Sequence, residues 1–191
     1  MAIVKPARCS PDPARARMSN CSMMSRSPHP IPRHALTLCA SLVHNPVNLG
    51  ALCRTAEAFR LQELVLPSWQ LLEDREFRKV AVSAHRWQPF TVCHSLQLAD
   101  WIAEQQQHGT TVLALTRHPQ GIPIPTFVFP QQTALLIGRE LTGIPTSLIE
   151  LCDDVVTIPQ WGQVESLNVG VAAAIAAYAY VAQHPLTSTV R

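Results

Sequence analysis

The sequence has no apolar run long enough to cross a bilayer. Its longest, residues 169–182 near the C-terminal end, spans fourteen residues, short of the roughly 17–25 that a spanning helix needs. Its alanine richness fits a buried core helix instead. The chain also lacks a CxxC pair and any His/Cys cluster at metal-ligand spacing, which argues against a zinc site. Its six cysteines are scattered, and Cys39, Cys53 and Cys93 fall inside apolar strand or helix patterns. Buried free thiols in a reducing cytosol are therefore expected, and with them a cytoplasmic protein. Neither GxGxxG, nor a P-loop, nor a nucleophilic serine elbow occurs, so dinucleotide, nucleoside-triphosphate and serine-hydrolase chemistry find no support.

Charge is sparse, at 15% of residues, and unevenly placed. Residues 1–33 carry six basic side chains against one acid, Asp12, which leaves nine basic and twelve acidic residues beyond them, a net of −3. A polyanion would therefore be met by a few local arginines, helped by the first segment. Residues 1–33 are rich in Pro, Ser and Arg without apolar periodicity and read as a flexible basic tail. They lack the apolar stretch of a secretory signal. Their composition is compatible with an organelle transit peptide, or with an over-extended start upstream of Met18, Met23 or Met24.

From residue 34 to 191 the pattern is that of one globular domain, with 47% hydrophobic residues in the whole chain. Short apolar runs at 36–43, 63–66, 90–93, 111–115, 133–137 and 155–158 read as strands. Helical stretches lie at 48–60, 74–83, 96–107, 145–151 and 164–183. This alternation predicts an α/β fold, a parallel sheet with helices on both faces.

Ligands of such sheets bind at the carboxyl ends of the strands, and three loops there hold polar residues and glycine. In NPVNLGALCRTA (45–56), Asn48 fits a helix N-cap and Gly50 leaves room for a ligand or a backbone. Arg54 lies about 140° around the helix from Leu49, on the polar face, one turn above Gly50. In LLIGRELTGIP (135–145) a strand ends at Gly138, and Glu140 stands near the start of a helix, whose dipole favours a carboxylate. In IPQWGQVESLNV (158–169), Ser166 and Asn168 sit early in an otherwise apolar helix, where polar groups need partners. Capping or solvation accounts for each loop taken alone.

In order and spacing the three loops together resemble the signature motifs of the SpoU/TrmH RNA 2′-O-methyltransferases. N-x-G-x-x-x-R is matched by Asn48, Gly50 and Arg54, and G-x-E-x-x-G by Gly138, Glu140 and Gly143. The I-P run leading to S-L-N-V is matched by Ile158, Pro159, Ser166, Leu167, Asn168 and Val169. The similarity covers roughly residues 36–182.

The resemblance implies a deep trefoil knot in the C-terminal part, one of the exceptions to unknotted topology, and a homodimer with its active sites near the subunit interface. It implies S-adenosylmethionine as cofactor, held by Gly138, Ile158 and Leu167 with Leu115 and Thr116 beside them. It assigns Arg54 to the ribose 2′-hydroxyl, with Asn48, Glu140, Ser166 and Asn168 orienting Arg54 and shaping the cofactor loops. An arginine stays protonated, so a hold on substrate phosphate and on developing alkoxide charge suits Arg54 better than proton abstraction. The stretch AVSAHRW (81–87) and the compact domain look most similar to tRNA guanosine-18 2′-O-methyltransferase catalytic domains. With only eight residues after Gln183, no RNA-binding C-terminal extension is expected, which leaves ribosomal RNA as an alternative substrate. An inactive RNA-binding protein of the same fold is the alternative of another class.

Overall fold

The computed structural model describes residues 32–186; the expected tail lies otherwise outside the described residues. Seven parallel strands form one sheet: β1 (His34–Cys39), β2 (Leu61–Leu66), β3 (Phe90–Val92), β4 (Thr111–Leu115), β5 (Ile122–Pro123), β6 (Thr133–Ile137) and β7 (Asp154–Thr157). Their order is β3-β2-β1-β6-β4-β7-β5, and every strand pair is parallel. Among the described residues five α-helices accompany them: α1 (Pro46–Ala58), α2 (Arg75–Ala81), α3 (Leu98–Gln107), α4 (Thr146–Ile149) and α5 (Val169–Gln183).

The two-residue alternation of the strands divides the core into two layers. Leu36, Leu38, Leu113, Leu115, Leu135 and Ile137 point to the side covered by α1, α2 and α5. Cys39, Val112, Ala114, Ala134 and Leu136 point to the side covered by α3 and α4. Helices cover both faces, as the near-continuous apolar strands required. The thiols of Cys39 and Cys53 are wholly buried and free, and burial pushes each to about 12, so neither forms a thiolate at neutral pH.

Several element boundaries differ from the sequence expectation. The apolar run 36–43 is strand only to Cys39; residues 40–43 turn, with Val43 N donating to Ala40 O at 3.0 Å. Leu42 and Val43 stay buried, so hydropathy alone carries no mark of the strand's end. The last helix begins at Val169 and not near 164, because Asn168 caps it. Nor is it buried all round: Ala173, Ala176, Ala177 and Tyr180 face the core, while Val171 is 49% exposed and Tyr178 63%. The short β5 and a one-turn helix at Ile124–Thr126 escaped the sequence pattern, being only two and three residues long.

Polar anchors hold both ends of this domain. Arg33, grouped with the tail by composition, pairs with Glu57 at 2.7 Å and donates to Leu61 O and Trp87 O. The end of α5 is tied to the segment before β6. Gln183 Nε2 donates to Phe127 O and its Oε1 accepts from Phe129 N, while the Tyr180 hydroxyl donates to Gln131 O at 2.6 Å.

His34 packs edge-on against Tyr180, and burial, with His184 nearby, lowers its pKa below 6.5. Burial and the cations Arg78 and Arg86 lower His85 likewise. As pH falls below about 6.5 the unfolded chain takes up these protons before the folded one does, so folding stability present above that pH is progressively lost. Differential scanning calorimetry should show Tm level above about pH 7 and falling between about pH 6.5 and 5, above the carboxylate range. His34→Phe should flatten part of that fall.

Candidate active site

The carboxyl ends of β1, β6 and β7 carry the three loops singled out in the sequence, and β4 lies between β6 and β7 in the sheet. After β1 the chain enters α1 through Asn45-Pro46. Asn45, not Asn48, is the N-cap: it has extended backbone and its side chain accepts from Val47 N at 2.9 Å. Pro46 explains the shift, since a proline at the first helical position lacks an N–H that would go unpaired there and has its φ preset. Asn48 thus lies inside the first turn, half-buried, with its amide free for tertiary bonds.

Gly50 also plays a different part from the one expected. A Cβ there would lie 2.7 Å from Phe77 O and 3.0 Å from Val80 Cβ. The glycine admits the backbone of α2, not a ligand, and brings the two helices into close contact.

After β6 the residues 138–143 form a closed loop. Arg139 N donates to Gly143 O and Gly143 N to Arg139 O, both at 3.0 Å. A Cβ on Gly138 would meet Gly143 C at 2.6 Å, and Gly143 has φ +66°, so both glycines are needed to close it. Glu140 at its tip does not serve the short helix that follows. Its Oε1 accepts from Asn48 Nδ2 at 3.0 Å, in the first turn of α1, where that helix's dipole favours a carboxylate.

After β7 the chain runs through Pro159 to Asn168, the N-cap of α5. Asn168 Oδ1 accepts from Gly170 N at 2.9 Å, and its Nδ2 donates to Asn48 Oδ1 at 3.1 Å. One residue from each loop therefore joins a continuous hydrogen-bonded chain, Glu140–Asn48–Asn168.

Beside this chain opens a cavity of about 430 Å³, within the range of small-molecule sites. All five residues expected to hold a cofactor line it: Leu115 and Thr116 from the end of β4, Gly138, Ile158 and Leu167. Glu140, Ser166 and Asn168 line it too, while Asn48 reaches it only through its bonds to Glu140 and Asn168.

Arg54 stands apart: it is exposed, does not line the cavity, and makes no hydrogen bond or ion pair with the described residues. Residues Ala51 and Thr55, on either side of it in α1, instead line a shallow apolar groove with Val171, Ala174, Ile175 and Tyr178 of α5.

Among the residues of the cavity wall that were not anticipated, three are polar and flank strand ends. Arg117 Nη1 donates to Glu165 O at 2.7 Å, pinning the loop after β7 to the end of β4. Arg139 adds a second guanidinium to the wall. Gln160 has a buried Oε1 without a hydrogen-bond partner. All three flank strand ends already marked, and that position is the signal that could have found them. Leu141, 98% exposed, stands on the cavity's rim, and Trp161, 91% exposed, follows Gln160.

The family model described as the SpoU rRNA Methylase family matches residues 35–178. The mouse protein named tRNA (guanosine(18)-2'-O)-methyltransferase TARBP1 is 38% identical over 151 residues, 79% of this chain but 10% of that protein. The Escherichia coli K12 tRNA (guanosine(18)-2'-O)-methyltransferase is 30% identical over 158 residues, 83% of this chain and 66% of the relative. The chain thus spans a tenth of the one relative's length and just under two thirds of the other's. Among solved structures, the SpoU methyltransferase AviRb of Streptomyces viridochromogenes in complex with AdoMet has TM-score 0.66 and 25% identity, covering 82% of this chain and 62% of that one.

Because Gly50 seats α1 against the α2 backbone, Gly50→Ala should lower stability by about 1–3 kcal/mol. Chemical denaturation should read this as a lower midpoint with an unchanged slope.

Proposed function

The chain belongs to the SpoU rRNA methylase family, and on that premise we propose that it methylates a ribose 2′-hydroxyl in RNA with S-adenosylmethionine, its substrate a tRNA at a guanosine-18-type site. The observation that carries this is the Glu140–Asn48–Asn168 chain, which locks all three motif loops around one cavity. Asn168 also caps α5, but packing alone does not require Asn48 and Glu140 to join it in one chain. The family model's name keeps ribosomal RNA as the second substrate reading.

The cavity's chemistry fits the cofactor. Leu115, Ile137, Ile158 and Leu167 offer an apolar wall for a flat ring. Arg117 and Arg139 can meet a carboxylate, and Glu140 and Glu165 an ammonium. When bound, the cofactor supplies its own electrophilic sulfonium methyl. The protein's task is then to position the 2′-oxygen in line with that methyl and to exclude water. Arg54, free of intramolecular partners among the described residues, suits a hold on substrate phosphate and on the charge that develops as the 2′-hydroxyl loses its proton. In a domain of net −2, Arg33 included, such arginines must act locally, with the five basic residues before Arg33 adding affinity for a polyanion.

We also propose the trefoil knot and the homodimer. The knot is supported by the strand order: β7 lies beyond β4, yet α5 returns across the sheet to pack on α1 and β1. The dimer is supported by the apolar face that α1 and α5 leave exposed, with Val47, Val171, Ile175 and Tyr178. Monomers rarely leave such patches uncovered, and a second copy seated there would lie beside Arg54.

Arg54→Ala should bind S-adenosylmethionine as wild type does in isothermal titration, while methyl transfer to tRNA transcripts falls at least about a hundredfold, the scale of losing one preorganised charge donor. Unchanged turnover would sink the proposed role. Ile175→Glu should convert the protein from dimer to monomer in sedimentation velocity, with its secondary structure intact by circular dichroism.

A further inference from the structure

The loop between β7 and α5 holds six consecutive exposed residues, 161–166. The first of them, Trp161, is almost wholly exposed and makes no hydrogen bond or ring contact with the described residues. An indole offers one of the largest apolar surfaces of any side chain, and the fold uses almost none of it here. Trp161 adds little to the domain's own packing, so its surface is left for whatever meets the loop.

Its place narrows what that is. Gln160 before it, and Glu165, Ser166 and Leu167 after it, line the cavity, and the exposed Leu141 stands on the same rim. Arg117, at the end of β4, donates to Glu165 O and holds the loop against the cavity. Trp161 therefore stands at the mouth through which a methyl group would be passed on. On a ribose the base is carried by C1′, the atom next to the C2′ that bears the reacting oxygen. Whichever nucleotide presents its 2′-hydroxyl to the cavity brings its base to the rim with it.

That base also needs a new neighbour. A nucleotide drawn out of its stack to reach an enzyme cavity leaves the faces of its base bare, which costs stacking energy. An indole face offsets the loss, and does so for any base, since every base has a π face. A second copy of the chain fits the place less well. Gln163, Glu165 and Ser166 share the loop with Trp161, whereas α1 and α5 offer a second copy the apolar Val171, Ile175 and Tyr178. Resting on the methyl-transfer reading above, we infer that Trp161 stacks on the base of the nucleotide being methylated and holds it at the cavity mouth.

The test compares a tRNA transcript carrying guanosine-18 with the same RNA bearing an abasic ribose there, its 2′-hydroxyl kept. Trp161→Ala should bind the intact transcript about tenfold more weakly, the scale of one lost aromatic–base stack, and Trp161→Phe should restore most of it. On the abasic RNA, wild type and Trp161→Ala should bind alike, because the stack is already gone. Both variants should keep the Tm and sedimentation coefficient of wild type, and its affinity for S-adenosylhomocysteine in isothermal titration. Equal binding of the intact transcript by wild type and Trp161→Ala overturns the inference. So does a tenfold loss that persists on the abasic RNA, since Trp161 would then touch another part of the substrate. A monomeric Trp161→Ala, from a dimeric wild type, gives the residue to the second copy instead. Failure of wild type to bind S-adenosylhomocysteine or to methylate the transcript overturns the functional reading itself, and this inference with it.

Discussion

The amide of Asn48 is held in one orientation from two sides, and the geometry of the site depends on it. Glu140 is a carboxylate and can only accept, so the Asn48 Nδ2 must face it. The Asn48 Oδ1 is then left to accept, which turns the Nδ2 of Asn168 toward it. The Asn168 Oδ1 is left for the first N–H groups of α5, which can only donate. An acceptor-only end and a donor-only end thus fix the polarity of every group between them. Each bond is partly exposed and adds only about 1 kcal/mol to stability. Their value is positional: they set the loops after β1, β6 and β7 against one another, and the cavity exists between those loops.

Close backbone approaches give that chain its reach. Gly50 lets α1 settle on α2, and Gly138 lets its loop fold back on Gly143. In both the missing side chain makes room for protein and not for ligand. The glycines of the motifs are best understood as spacers that bring the asparagines and the glutamate within hydrogen-bonding range.

The site is left with unfilled valences on two sides. Inside, Gln160 keeps a buried acceptor unpaired, and the wall carries both cationic and anionic side chains without ion pairs among the described residues. Outside, Arg54 stands in solvent beside an apolar face shared by α1 and α5. Both atoms of the Gln183 amide, by contrast, are hydrogen-bonded.

Much of the domain could be read from the sequence, because period-two burial and strand-end polarity are local properties. β4 and β6 fell within their predicted bounds, and eight of the ten expected site residues line one cavity. Boundaries inside apolar stretches were not legible, since a buried turn at 40–43 and a buried strand share one composition. The cap at Asn45 was hidden by a better-looking Asn48 three residues on, although Pro46 marked it. What only tertiary structure decided was pairing between residues far apart in the chain. Asn48 meets Glu140 across 92 positions and Asn168 across 120, Gly50 faces the backbone of Phe77, and one side of an all-apolar helix stays in solvent. Sequence spacing determines which way a side chain points on its own element, but its partner depends on how strands are ordered in the sheet, and no local pattern records that order.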